Sequence, residues 1–320
     1  MLYSIVKNLA RLAIPVYCRD IAINKKELLK LDGPLLLAVN HPNSFLDAII
    51  LCTLFDIPVY SLARGDAFKN KVLARILFNF KILPVYRASE GVENLEENYK
   101  TFDLCKNIFK KNGAVLIFCE GRCINEWHLR PLKKGTARLA ISSWQDGIDL
   151  KVLPVAINYS SFKKFGKNVK IFFGDAIHKE NIDYNDTHGN AIQQFNKTLQ
   201  SQLDKYVFEI APGDKATLRE KFYIKQSLLK RVVLFIPAIL GFLVHAPLYY
   251  FIKWIGEVLI KEAGHYDSKI VGLLFLLYPL FLLTVSLVLL CFTNGWYALA
   301  SLLLLPFTAW SYVQLKKQLD

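Results

Sequence analysis

The C-terminal part of the sequence lacks charge. From Ile270 to Leu315 it contains no charged residue and no histidine, and an uncharged turn at 293–295 divides this stretch into two apolar segments. A segment of roughly 20 apolar residues is long enough to cross a bilayer. The sequence therefore predicts two transmembrane helices, at 270–292 and 296–313. Because ionisable residues usually mark a transport pathway inside a membrane, their absence favours an anchor over a transporter.

The sequence also has few cysteines. Its six cysteines show none of the spacings of a disulfide framework, which excludes the class of small disulfide-stabilised proteins. Cys119, Cys123 and His128 are close in sequence, but a fourth metal ligand at a suitable spacing is missing. We find no motif for a metal or an organic cofactor and therefore expect neither. A catalytic domain in a reducing, cytoplasmic compartment is the simplest interpretation.

Acidic residues are scarce relative to basic ones, with 27 against 40 in 320 residues and a formal net charge of +13. A basic chain can bind nucleic acid or an anionic membrane surface. We find no nucleic-acid recognition motif, and the mean hydropathy of +0.27 favours the membrane. The sequence also lacks a Gly-x-Ser-x-Gly motif, which disfavours a lipase-like serine nucleophile.

Residues 1–24 are predicted to contain a short amphipathic helix that ends near Pro15. Apolar residues recur at helical spacing from Leu2 onwards, and Lys7 and Arg11 lie on the other side. Such a helix can lie in the membrane interface with its cations directed toward lipid phosphates. The alternative is a helix that packs on its own domain.

Residues 25–225 alternate between short apolar runs and amphipathic helical segments, which predicts an α/β domain with a largely parallel sheet flanked by helices. The predicted strands are 35–39, 57–62, 81–87, 114–119, 152–158 and 170–173. Ligands of such sheets bind beyond the carboxyl ends of the strands. His41, Arg87, Glu120 and Asn158 follow strand ends, so we expect them to converge on one edge.

The segment from His41 to Asp47 has two interpretations. In the first, Ser44 caps a helix and Asp47, three residues on, completes a capping box. In the second, Asp47 accepts a hydrogen bond from one imidazole nitrogen of His41, and the other nitrogen takes a proton from a substrate hydroxyl. This segment alone leaves both interpretations open.

Four segments together resemble a known family. Asn40–Asp47, Ile82–Arg87, Phe118–Arg122 and Val152–Val155 resemble, in order, the four blocks of the glycerolipid acyltransferases, the glycerol-3-phosphate and 1-acylglycerol-3-phosphate acyltransferases. The resemblance implies an α/β domain on a membrane surface. It also implies transfer of an acyl chain from a thioester, of coenzyme A or of acyl carrier protein, to a glycerol hydroxyl in phospholipid synthesis.

The same resemblance implies the roles of single residues. His41 would be the general base and Asp47 the carboxylate that orients it. Arg87 and the Glu120–Gly121 corner would hold the phosphate of the acceptor. Pro154 would shape the acyl or acceptor site.

Two departures from the family pattern concern the acceptor more than the chemistry. Five residues separate His41 from Asp47 instead of the usual four, as in a branch similar to fungal glycerol-3-phosphate and dihydroxyacetone-phosphate acyltransferases. In the third block Cys123 stands where the family usually has arginine, and Arg122 can replace that arginine from one position earlier. The alternatives are an acyltransferase for a non-phosphorylated lyso-lipid and a catalytically idle lipid-binding module.

Residues 226–320 are predicted to form the membrane region of a multi-pass protein. Lys269 lies at one base of the predicted hairpin and Lys316–Lys317 at the other. The positive-inside rule then predicts that both bases and the catalytic domain are cytoplasmic. For that topology the apolar segment 232–252, which contains two prolines, must be re-entrant or interfacial rather than spanning.

Overall fold

A seven-stranded sheet lies at the centre of the computed structural model, which describes residues 2–86, 95–183, 188–259 and 266–319. The strands are β1 Cys18–Ile23, β2 Leu35–Val39, β3 Val59–Arg64, β4 Ile82–Val85, β5 Ala114–Phe118, β6 Lys151–Tyr159 and β7 Lys167–Phe173. The α-helices are α1 Leu2–Tyr17, α2 Phe45–Leu54, α3 Lys71–Asn79, α4 Leu95–Phe109, α5 Lys134–Gln145, α6 His188–Asp204, α7 Lys215–Phe222, α8 Leu228–Leu259, α9 Tyr266–Phe292 and α10 Gly295–Leu315.

The direction of the strands decides which residues meet at each edge of the sheet. The strand order is β1-β7-β6-β2-β5-β3-β4, and the five strands from β6 to β4 are parallel. β7 pairs antiparallel with β6, and β1 pairs parallel with β7. The starts of β1 and β7 therefore lie at the edge where the other five strands end. The predicted α/β fold with a largely parallel sheet is confirmed, whereas β1 was not predicted because it falls within residues 1–24.

Two helical layers cover the sheet. Side chains of α4, α5 and α6 pack on one face, and side chains of α1 and α2 pack on the other together with residues from α8 and α9. All five residues of β2 are buried, which is typical of a strand in a parallel sheet covered on both faces. The N-terminal helix and the start of the membrane region thus contribute to the same core as the catalytic domain.

The cations of α1 face the protein. Lys7 Nζ donates a hydrogen bond to the backbone oxygen of Phe55 at 2.6 Å, and Arg11 Nε donates one to that of Thr53 at 2.5 Å. These carbonyls lie at the C-terminal end of α2, where helical oxygens lack intrahelical partners and attract positive charge. The prediction that Lys7 and Arg11 point toward lipid phosphates is therefore wrong.

The outer side of α1 is apolar instead. Leu2, Ile5, Leu9 and Leu12 are exposed large hydrophobic residues. The helix also continues through Pro15 to Tyr17 rather than ending near the proline. Its amphipathic character is as expected, but the polar side packs on the domain and the apolar side faces outward.

Three C-terminal helices are long and apolar enough to cross a membrane. These segments are Leu228–Val258, Tyr266–Phe292 and Gly295–Leu315. The first is continuous although it contains two prolines, so its length and composition are those of a third candidate span. The interfacial or re-entrant course for 232–252 and the cytoplasmic orientation stay predictions.

Candidate active site

The site begins where β2 ends. The side chain of Asn40 donates to the backbone oxygen of Ile157 at 3.1 Å and accepts from its N–H at 2.8 Å. Asn40 thereby continues the pairing between β2 and β6 beyond the last residue of β2. This double hydrogen bond fixes the backbone from which the side chain of His41 starts.

His41 and Asp47 form a hydrogen-bonded pair. His41 Nδ1 lies 2.9 Å from Asp47 Oδ2, and the two side chains are 16% and 0% exposed. Asp47 also accepts from the Asn43 N–H at 2.9 Å and from the Tyr159 hydroxyl at 2.7 Å. Three donors compensate the cost of burying this carboxylate. Because an ionised carboxylate only accepts, Nδ1 carries the proton and Nε2 is left with a lone pair.

The capping-box interpretation of this segment is not supported. Ser44 precedes the first residue of α2, but its side chain makes no capping hydrogen bond to the helix. The Asp47 carboxylate instead bonds back to His41 and to the N–H of Asn43. The structure therefore favours the second interpretation, in which Asp47 orients the imidazole.

An aromatic ring fixes the plane of His41. The Phe118 ring stacks on the imidazole with 3.6 Å between ring centroids and 13° between planes. Sequence reasoning missed Phe118, although it ends β5 and lies opposite Val39 in the register of β2 and β5. An imidazole held by a buried carboxylate on one nitrogen and by a stacked ring can take a proton from a hydroxyl at its other nitrogen.

Glu120 binds the backbone of the site. Its carboxylate is buried and accepts from the N–H of His41 at 3.2 Å and from that of Arg130 at 3.3 Å. Burial, together with the neighbouring charge of Asp47, raises the pKa of Glu120 to about 7 despite the lowering effect of the two N–H donors. Glu120 therefore joins the segment that carries His41 to the segment that follows β5.

Several cations surround the Glu120–Gly121 corner. Gly121 has φ +66°, and a Cβ there would lie 3.0 Å from Lys133 Cγ. Arg122 is exposed, and Arg130 is partly exposed beside Glu126, with which its guanidinium pairs. Sequence reasoning did not single out Arg130. Arg87 lies outside the described residues.

Pro154, implied to shape the acyl or acceptor site, and Asn158, expected at the edge of the sheet, both lie elsewhere. Pro154 is buried inside β6 and has the strand parity of Val152 and Ala156, which pack with α4, α5 and α6. Tyr159, the β6 residue that contacts Asp47, belongs to the opposite face. Asn158 lies within β6 rather than beyond it, and its side chain binds the backbone of residues 206 and 208. Neither Pro154 nor Asn158 is therefore brought to the His41–Asp47 pair, and the role implied for Pro154 stays a prediction.

The third-block cysteine contacts the first block. Cys123 Sγ accepts a hydrogen bond from the Ser44 N–H at 2.9 Å. His128 pairs with Glu209, with 2.6 Å between Nδ1 and Oε2, so it does not join Cys119 and Cys123 in a metal-like arrangement. Within the described ranges no group of three or more His, Cys, Asp or Glu side chains is arranged to hold a metal ion.

Comparison with known proteins indicates similarity to an acyltransferase family. Residues 20–158, which contain all four sequence blocks, match the family model described as Acyltransferase. The fold is similar to the crystal structure of the 1-acyl-sn-glycerophosphate (LPA) acyltransferase PlsC from Thermotoga maritima, with a TM-score of 0.48 and 13% identity over 70% of this chain and 81% of that one. No curated protein gives a significant match. The four blocks thus lie within a segment that is similar to the acyltransferase family, which confirms their resemblance to the glycerolipid acyltransferases.

Proposed function

We propose that the protein is a membrane-bound O-acyltransferase of phospholipid synthesis. It transfers a fatty acyl chain from a thioester donor to a hydroxyl of glycerol-3-phosphate or 1-acylglycerol-3-phosphate. The observation that carries this proposal is the His41–Asp47 pair at 2.9 Å, with a fully buried carboxylate, at the carboxyl edge of the parallel strands. No metal or organic cofactor enters the reaction.

His41 acts as the general base. Its Nε2 takes the proton of the acceptor hydroxyl as the oxygen attacks the thioester carbonyl. The carbon–sulfur bond then breaks, and the thiolate leaves with the proton that His41 had taken. Asp47 stabilises the imidazolium formed between these steps. General-base catalysis of this kind contributes roughly 10²–10⁴-fold to the rate.

The cations near Gly121 bind the acceptor phosphate. Arg122, Arg130 and Lys133 lie on one short segment around the Glu120–Gly121 corner, whose carboxylate bonds directly to the backbone of His41. Arginine side chains match phosphate oxygens with two parallel hydrogen bonds. A phosphate held there would keep the acceptor hydroxyl close to His41. We propose the same role for Arg87.

The membrane supplies the lipid substrates. The apolar side of α1 and the outer side of α3, with Val72, Leu73, Ile76 and Phe78, are exposed on the domain. Together with three apolar C-terminal helices, these surfaces support a protein embedded in the bilayer. We propose that its catalytic domain lies on the cytoplasmic side, where acyl-CoA and acyl carrier protein are found. The net charge of +13 suits an anionic lipid surface and both anionic donors.

Purified protein in detergent tests the proposal. Acyl-CoA and acylated acyl carrier protein are offered separately with glycerol-3-phosphate, 1-acylglycerol-3-phosphate or a non-phosphorylated lyso-lipid to the wild type and to the variants His41→Ala and His128→Ala. His128 is a matched control because it also pairs with a carboxylate, Glu209, but on the exposed surface. We expect transfer that is lost in His41→Ala and kept in His128→Ala.

Other outcomes separate the alternatives. Transfer to a non-phosphorylated lyso-lipid alone would favour a different acceptor. Transfer that survives in His41→Ala would refute the assigned base. A lack of transfer with every pair of substrates would favour an idle lipid-binding module.

A further inference from the structure

A buried ion pair joins the start of α9 to the active-site loop. Asp267, in the first turn of α9, accepts hydrogen bonds from Lys167 Nζ, from the Tyr17 hydroxyl and from Asn43 Nδ2, the last at 2.7 Å. The side chains of Lys167 and Asp267 are 0% and 1% exposed. We refer to these four residues as the Asp267 cluster. Only Asn43 belongs to the four family blocks.

The topology of the sheet brings this cluster together. Lys167 opens β7 and Tyr17 directly precedes β1, the two strands that run opposite to the others. Both residues therefore lie at the edge where β2 ends and the segment containing Asn43 begins. An aspartate in the first turn of a helix is also favoured by the positive end of the helix dipole.

The next residue of α9 binds the same loop. Ser268 Oγ accepts from the N–H of Leu46 at 3.2 Å and donates to the backbone oxygen of Asn43 at 3.4 Å. The first turn of α9 thus holds both ends of the segment 43–46. This segment lies between His41 and Asp47 in the sequence.

The loop between the two site residues needs such support. It contains one residue more than the usual family spacing, and Ser44 has φ 53° and ψ −136°. Non-glycine residues adopt such a conformation only where their surroundings enforce it. The Asn43 N–H donates to Asp47, its side-chain Nδ2 donates to Asp267, and its Oδ1 has no hydrogen-bond partner among the described residues. Asp267 is therefore the group on which the orientation of the Asn43 side chain depends.

We propose that Asp267 is a positioning residue of the acyl transfer reaction. By holding Asn43, it keeps the segment between His41 and Asp47 in the conformation that pairs the imidazole with its carboxylate. Helix α9 is then part of the catalytic apparatus as well as a membrane anchor. This inference rests on the proposed role of His41 as the base.

The experiment must separate positioning from folding. A single change would leave either Lys167 or Asp267 buried without its partner, which is strongly destabilising. Two double variants avoid this. Lys167→Met with Asp267→Leu replaces the pair by apolar residues of similar size and releases Asn43. Lys167→Met with Asp267→Asn also removes both charges but keeps a side-chain oxygen that accepts from Asn43.

Each variant is measured in detergent for melting temperature, for kcat and KM of donor and acceptor, and for hydrogen exchange of the peptide that covers residues 41–47. In the leucine variant we expect kcat to fall about 10- to 100-fold with KM nearly unchanged, since a misplaced catalytic group costs about this much. Exchange at Asn43 and Leu46 should become faster. In the asparagine variant kcat and the exchange rates at Asn43 and Leu46 should be close to those of the wild type.

A matched control uses a surface ion pair. Lys25 and Asp175 lie 2.9 Å apart, and their side chains are 36% and 70% exposed. The double variant Lys25→Met with Asp175→Leu should keep kcat and the exchange of residues 41–47.

Three results would overturn the inference. The leucine variant could keep the kcat and exchange of the wild type. The two Asp267 variants could be impaired equally, or their kcat could simply follow their melting temperatures. Transfer by the wild type that is lost in His41→Ala establishes the proposed function separately. If the wild type transferred nothing, the hydrogen exchange data would still decide whether α9 holds the loop.

Discussion

Replacing Glu120 by glutamine should change how the stability of the protein depends on pH. Burial raises the pKa of Glu120 from its ordinary value of 4.5 to about 7. A carboxyl group whose pKa is raised on folding binds its proton more tightly in the folded state. Its contribution to stability is therefore fully present below the unfolded pKa and is lost as the pH rises through the folded pKa.

The size of the effect follows from the shift. A pKa raised from 4.5 to about 7 means that the contribution of Glu120 to the free energy of unfolding differs by roughly 3 kcal/mol between low and high pH. For a domain of this size, that free energy is a difference of roughly 5 to 10 °C in melting temperature. Glutamine at position 120 does not titrate. Its single side-chain oxygen serves only one of the two N–H donors, of His41 and Arg130, which costs the same at every pH.

Melting temperatures of the wild type and Glu120→Gln are measured in detergent from about pH 5 to about pH 8. All other ionisable groups are common to both proteins, so the difference between the two isolates Glu120. We expect the melting temperature of Glu120→Gln to rise relative to that of the wild type as the pH rises. Glu97→Gln removes an exposed carboxylate from α4 and should show the same pH dependence of the melting temperature as the wild type. A gap between wild type and Glu120→Gln that stayed constant over this range would refute the burial argument.

Three further substitutions test the site and its supports. Asp47→Asn should lower kcat about 10³–10⁴-fold at nearly constant KM, because an amide donor facing Nδ1 moves the proton of His41 to Nε2; a loss below tenfold would contradict the assigned role. Tyr159→Phe removes one of three donors to Asp47 and should lower the free energy of unfolding by about 1.5–3 kcal/mol, measured by denaturation in detergent, with a smaller loss of kcat than in Asp47→Asn. Lys7→Met removes the side-chain donor to the backbone oxygens of Asp56 and Ile57, just after α2, and should destabilise the protein by about 1–3 kcal/mol; an unchanged melting temperature would mean that Lys7 does not hold this end of α2.

Local sequence signals were enough for six of the seven strands, whereas the central pair of the site also needed the resemblance of the four blocks. The buried run before His41 and the helix after it predicted a strand-to-helix corner, and the spacing to Asp47 allowed the contact at 2.9 Å. Glu120 was also expected at this edge, but its carboxylate bonds to backbone N–H groups, which no residue pattern indicates.

The supports of the site depend on long-range geometry. Asp267 lies 224 residues from Asn43 in sequence, and their contact depends on the reversed direction of β7 and on the entry of α9 at the same edge. Periodicity identified the two sides of α1 correctly. It could not indicate which side faces the protein, because the carbonyls that Lys7 binds appear only when α2 has folded beside it.

The outward apolar side of α1 bears on how the enzyme can be shortened. A truncated protein that ends before α8 would lose its candidate spans and still present Leu2, Ile5, Leu9 and Leu12 to solvent. It would also open the core where Ile252 and Ile270 are now buried. Such a fragment would bind detergent micelles or aggregate rather than behave as a water-soluble catalytic domain. Crystallisation trials and screening assays therefore call for the full chain in a lipid-like environment.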